Sequence, residues 1–260
     1  MCHIHLGAIP RSKPWNEVVG LLEVGADVEE VAEASARAAE RALLSASVDP
    51  VFVEAVRLLI SIPIAARSED FGDALRRLDL DVGTSPGFLD VMLSASRHLD
   101  RLSEKSGART DFTDLASRAL SKALTDCIGG DLPGLFSPSA EDVRLSFEKF
   151  SRGTGMSVLC RRYFSALVGS SLSYWLDRVL PGAIGEGRRF QTISDKAGFD
   201  RSLDFHVSEA TRIIQEFSSG WVGKTFYTKG SISPADARDF GHVCLRKVVE
   251  ELRAKRGQDA

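Results

Sequence analysis

Apolar residues recur every three or four positions along nearly the whole chain, a period that places them on one face of an α-helix. Asp27, with Glu30 in capping-box position, opens one such stretch. Val28, Val31, Ala32, Ser35, Ala38, Ala39, Ala42 and Leu43 follow in register. This stripe is mostly alanine, so a second helix, including one from a partner, can approach it closely. A helix after Asp49-Pro50 carries Phe52, Val53, Val56, Leu59 and Ile60. Pro63 is predicted to stop or kink it, because proline lacks the amide hydrogen and clashes with the preceding turn. A short helix is predicted around Ser68–Leu80. Pro86 then reads as the first position of a helix whose face holds Phe88, Leu89, Met92, Leu93, Ser96, Leu99 and Leu102. Thr110 or Asp111 caps the next, which runs to Cys127 and closes at Gly129-Gly130.

Gly, Pro and Ser cluster in GGDLPGLFSPS at 129–139, the best internal boundary. It divides the chain into lobes 1–130 and 131–260, or marks a loop within one continuous domain. Beyond it, Ser139 and Asp142 open a helix with Val143, Leu145, Phe147 and Phe150. Gly155 to Leu180 is the most hydrophobic element, apolar on more than one stripe, and is predicted to be central. A Gly-rich loop at 182–196 leads to a helix over 198–218. The last helix takes Ser233 as cap, Pro234 at its first position and Asp236 in its first turn. Strand candidates are limited to His3–Ile9 and WVGKTFYT at 221–228. Of 20 aromatic residues, 15 follow residue 130, which predicts a main core in the second half. The expected fold is all-α, a compact multi-helix bundle of about eight to ten helices with minimal β-structure.

The 43% hydrophobic and 27% charged fractions are those of an ordinary globular protein, which needs neither disulfide nor metal to fold. The net charge of −3 lacks the strong basicity of a dedicated nucleic-acid binder. The halves differ: 14 basic against 20 acidic residues give −6 before residue 131, and 19 against 16 give +3 after it. Cys2, Cys127, Cys160 and Cys244 are dispersed and form no CxxC pair, and the N-terminus lacks a signal-peptide pattern. A cytoplasmic location is expected. The longest nearly uncharged apolar stretch, Leu58 to Ala66, is too short to cross a bilayer, so no membrane partner is expected.

Several constellations bear on chemistry. MCHIHLG resembles the start of class II glutamine amidotransferases, and that resemblance implies a nucleophilic Cys2 on a β-sandwich, against the helical pattern. Cys2, His3, His5, His98, Cys127, Cys160, His206, His242 and Cys244 are possible metal ligands. No HExxH or CxxC spacing joins them, and His242 and Cys244 sit about 200° apart on a helix. Neither metal nor cofactor is therefore expected. Arg201-Ser-Leu-Asp-Phe-His206 resembles the RxxxxH motif of HEPN domains, all-α modules many of which are metal-independent ribonucleases. The resemblance implies that His206 handles protons at a phosphodiester and Arg201 steadies the phosphate. Ser202 stands where that family usually has Asn, Asp or His.

Arg161-Arg162 and Arg188-Arg189, the latter beside Phe190, are candidate contacts for nucleic acid or protein. The stretch at 161–190, continuing into 199–224, is similar to bacterial all-helical proteins of multigene cassettes, antiviral defence islands among them. That similarity implies a subunit working with other proteins. The expected function is a non-catalytic scaffold or regulatory subunit bound to other protein subunits. A HEPN-like ribonuclease and a helical nucleic-acid-binding module are the alternatives.

Overall fold

The computed structural model describes residues 12–107, 110–132 and 138–254. Cys2, His3, His5 and the strand candidate at 3–9 lie outside them. Among the described residues the chain is all-α. In order, the helices are α1 (Lys13–Glu23), α2 (Val28–Ala46), α3 (Pro50–Ala65), α4 (Phe71–Arg76), α5 (Phe88–Ser106) and α6 (Asp111–Cys127). They continue with α7 (Ala140–Lys149), α8 (Gly153–Leu176), α9 (Ile193–Ala210), α10 (Arg212–Lys229) and α11 (Pro234–Ala254). The sole β-type pairing among the described residues is an isolated bridge between Ile184 and Phe190 in the loop before α9.

Local chemistry sets most boundaries. The Asp27 side chain accepts from the Glu30 amide at 2.7 Å. Asp49 accepts from Val51 and Phe52 and ties α3 to α6 through the Thr113 hydroxyl at 3.1 Å. Ser139 and Asp142 form a reciprocal cap on α7, and Ser233 and Asp236 do the same on α11. Pro63 lies in the last turn of α3, which ends at Ala65. Pro86 does not start α5; Gly87 is the cap and Phe88 the first helical residue.

Tertiary packing overrides local preference elsewhere. The β-prone run 221–228 is helical within α10, because Val222 is buried and Trp221 stacks on Phe240 at 4.5 Å. The helix expected over 198–218 is two: α9 ends at Ala210, and Thr211, fully buried, turns its hydroxyl back to the Ser208 carbonyl. Helix α1, not foreseen, buries Trp15 against Trp175 with ring centroids 5.5 Å apart.

The core does not favour the second half. Helix α3 packs against α6, α11, α5, α7 and α8, and buries Phe52, Leu58, Leu59, Ile60 and Ile62 completely. Helix α8 is the second central element, with Tyr163, Phe164, Leu167 and Leu172 fully buried between α6, α10 and α9. One hydrophobic cluster runs from Trp15 to Leu252, across residue 130. Most of the α2 stripe is covered from within: Val31, Ala32, Ser35, Ala39 and Leu43 are buried, Ala38 is half-buried and Ala42 is exposed, and α1, α11 and α9 pack on this helix.

Two glycines of the long helices separate crowding from propensity. A Cβ on Gly155 would overlap the Lys149 carbonyl oxygen, whereas one on Gly220 meets nothing within 4 Å. Gly155→Ala is expected to lower stability by about 1–3 kcal/mol through overpacking against backbone. Gly220→Ala should raise it by about 0.5–1 kcal/mol through helix propensity. Urea titration of both variants checks the pair; effects of the same sign would refute the crowding at Gly155.

Candidate functional site

Helix α3 is almost entirely apolar, yet Glu54 and Arg57 stand in its middle, three residues apart and on one face. Both are largely buried, so each charge requires a partner. The Arg57 guanidinium grips the Glu54 carboxylate twice, Nε to Oε2 at 2.7 Å and Nη2 to Oε1 at 2.6 Å. His98 on α5 reaches the same Oε1 through Nε2 at 2.7 Å. An ionised carboxylate only accepts, so Nε2 carries the hydrogen and the imidazole orientation is set. Burial acts to raise the Glu54 pKa, but hydrogen bonds from Arg57 and His98, and their positive charge, carry it below the ordinary value of 4.5. Arg57 also donates to the Leu78 carbonyl at 3.3 Å, and Asp79 adds a nearby negative charge. Asp79 is itself unusual: at φ 66° it terminates the α4 turn in the left-handed region, a position aspartate tolerates better than most residues.

This cluster floors a cleft of about 910 Å³, within the range of small-ligand sites. One wall is α3 and α5. The other is the junction of α10 and α11, with Phe226 and the segment from Gly230 to Pro234. At the mouth stand Arg67 and Arg77. Arg67 lies over the Phe226 ring at 5.4 Å and donates to the Ser151 carbonyl. Its pKa is lowered, first by burial and then by repulsion from Arg152, with Glu148 partly offsetting both. Among the described residues, no carboxylate lies within ion-pair distance of Arg67 or Arg77.

No protein-family model, curated protein or solved structure matches this chain.

Of the residues singled out from the sequence, His98 belongs to this cluster, whereas the candidate catalytic and binding residues lie elsewhere. Arg201 and His206 both belong to α9, but Arg201 is exposed and His206 is 6% exposed. A step of five residues turns about 140° around a helix, so the two point to different faces. Arg161 fastens the α9–α10 junction, donating to the Ser208 carbonyl at 3.0 Å and to Gln215 at 3.2 Å, with Glu209 at 3.7 Å. Arg189 caps the end of α1 by donating to the carbonyls of Leu21, Leu22 and Ala26, and it lies over the Phe190 and Phe199 rings. Phe190 is buried against Phe199. Arg162 and Arg188 are exposed.

Among the described residues no three His, Cys, Asp or Glu side chains gather as a metal-binding group. His98 serves Glu54, and His242 bonds the Ser47 hydroxyl through Nδ1 at 3.0 Å. Burial pushes the Cys160 thiol up to about 12 and Cys244 well above its usual value, so both behave as small apolar residues. No described helix is long and apolar enough to cross a membrane.

Glu54 and Arg57 did carry a signal in the sequence. An acid and a base three apart inside an otherwise apolar run is the mark of a buried ion pair. Glu54→Gln leaves the Arg57 charge without its counter-ion and should cost about 3 kcal/mol at neutral pH. Because the folded-state pKa of Glu54 lies below 4.5, this contribution is complete above that pH and fades as pH falls further. Denaturation of wild type and variant across the acid range should show their stabilities converging below pH 4.5. A constant gap throughout would rule out an ionised Glu54.

Proposed function

We propose that this chain is a helical binding subunit, and that an anionic group of its ligand seats in the cleft between α3, α5 and the α10–α11 junction. The observation that carries the reading is the pair Arg67 and Arg77, cations at the cleft mouth without carboxylate partners among the described residues. Among the described residues, Asp79 is the one exposed carboxylate lining the cleft with them, and a concave site with a surplus of one sign of charge concentrates ligands of the other. Beneath them, Glu54 and Arg57 neutralise each other, so the floor does not repel an anion.

Binding is favoured over catalysis by the state of Glu54. A carboxylate that moves protons near neutrality has its pKa raised toward the working pH. Here hydrogen bonds drive it down, and both oxygens are occupied. The placement of Arg201 and His206 on different faces gives the ribonuclease reading no support. Leu89 and Leu93, one turn apart on α5 and both exposed, support contact with other protein subunits.

Inorganic pyrophosphate is a simple probe. Added to isotope-labelled protein, it should shift the amide resonances of Ser231 and Ile232 and the side-chain Nε–H of Arg67. Replacing both Arg67 and Arg77 with Ala should weaken this binding roughly tenfold. Shifts scattered over the whole surface, or an unchanged affinity in the double variant, would remove the cleft as an anion site.

A further inference from the structure

The cleft does not end at Arg67. A second cavity of about 600 Å³ opens on the other side of that side chain, and Arg67 and Phe226 line both. The two cavities adjoin at these side chains, and together they form a groove lined from Arg77 at the end of α4, past Arg67, to Arg152 at the start of α8.

Three features of the second cavity point to a phosphate. Arg152 is exposed there and makes only a long ion pair with Glu148, at 3.9 Å. Ser151 is fully buried, lines the cavity, and its hydroxyl has no hydrogen-bond partner among the described residues. Helix α8 begins without a side-chain cap at Gly153, which lines this cavity, so the positive end of the helix dipole lies at this end of the groove. Arg67 completes the set: Arg152 repels it, and Glu148, the carboxylate acting on both, offsets that repulsion only in part.

Aromatic rings occur alongside these cations. Phe226 forms part of the shared wall, and Tyr227, next to it on α10, is 93% exposed. A tyrosine so bare is an available stacking platform, and Gly223 one turn earlier has open space where a side chain would project. Arginines spread along a groove match repeated phosphates; rings among them match unpaired bases.

Building on the anionic-cleft reading, we infer that this groove binds single-stranded nucleic acid, with phosphates at Arg77, Arg67 and Arg152 and a base on Tyr227. An acidic peptide fits the arginines equally well but has no use for the exposed ring. A duplex keeps its bases stacked inside and cannot offer one to Tyr227.

The test is fluorescence anisotropy with a labelled RNA oligonucleotide of about a dozen mixed-sequence nucleotides, long enough to follow a groove of this kind. The same strand annealed to its complement, and polyglutamate as competitor, are the comparisons. The single strand should bind, with the logarithm of affinity falling against that of salt at a slope of about −2 for three phosphates. Arg152→Ala should make that slope shallower by about 0.7. Tyr227→Ala should weaken binding about tenfold, whereas Arg188→Ala, on the exposed loop before α9, should change nothing. Arg152 and Tyr227 are both exposed, so neither variant threatens the fold. Equal binding of duplex and single strand, indifference to Tyr227→Ala, or equal displacement by polyglutamate would overturn the nucleic-acid inference. If pyrophosphate binds the cleft but the oligonucleotide does not, this inference falls and the anionic-cleft reading survives. If neither binds, both fall.

Discussion

A charge inside an apolar helix has to be answered from within the protein, and the cleft side of this fold is arranged around that requirement. Glu54 sits one turn into α3, among the fully buried Phe52, Ala55, Val56 and Leu58. Desolvating a lone carboxylate costs several kcal/mol, and only Arg57 and His98 are there to offset it. Satisfying Glu54 fixes three things together. The Arg57 side chain lies back along α3 and takes the Leu78 carbonyl, which positions the turn after α4. His98 brings α5 alongside α3. The cleft opens above the three of them, since groups that saturate one another leave a polar floor with no need of a further lid.

On the opposite side of α3 the controlling quantity is distance. Gly241 of α11 lies so close to α3 that a Cβ there would come within 2.6 Å of the Phe52 ring. The alanines of α2 let α1, α9 and α11 pack close on the same principle: small residues at a crossing allow backbones to approach. This explains why an alanine-rich amphipathic helix is not a vacant seat for a partner. A stripe of that kind records that something packs there; within a chain of this length, the first candidates are its own helices.

The legible parts of the fold were those specified by neighbours in sequence. Caps at Asp27, Asp49, Ser139 and Ser233 and the wide apolar surface of α8 are local patterns, and each was readable. What was not readable depended on distant residues. Helix α1 is held by Trp175 and by Arg189, some 160 residues later in the chain, and nothing within 13–23 announces either. The division of α9 from α10 turns on the burial of Thr211, and the helicity of 221–228 turns on Phe240. The candidate site follows the same rule. Its core, an acid and a base in an apolar run, was visible in principle. Its walls come from five helices, and no spacing in one segment could have assembled them.

The arginines illustrate why charge totals by segment are a poor guide to surface potential. Arg161 and Arg189 belong to basic dipeptides, which suggested a binding surface in the second half. Yet both spend their donors on carbonyl oxygens at helix ends, where a guanidinium complements the negative pole of the dipole. Arg67 and Arg77 come from the acidic half, each within a few residues of aspartate or glutamate in sequence. In the folded chain those carboxylates are not their ion-pair partners, and both arginines edge the groove. A guanidinium offers its field to a ligand only if the fold leaves it without a carbonyl cluster or carboxylate to satisfy. Partner geometry, not the local count of basic residues, decides where this acidic protein presents positive charge.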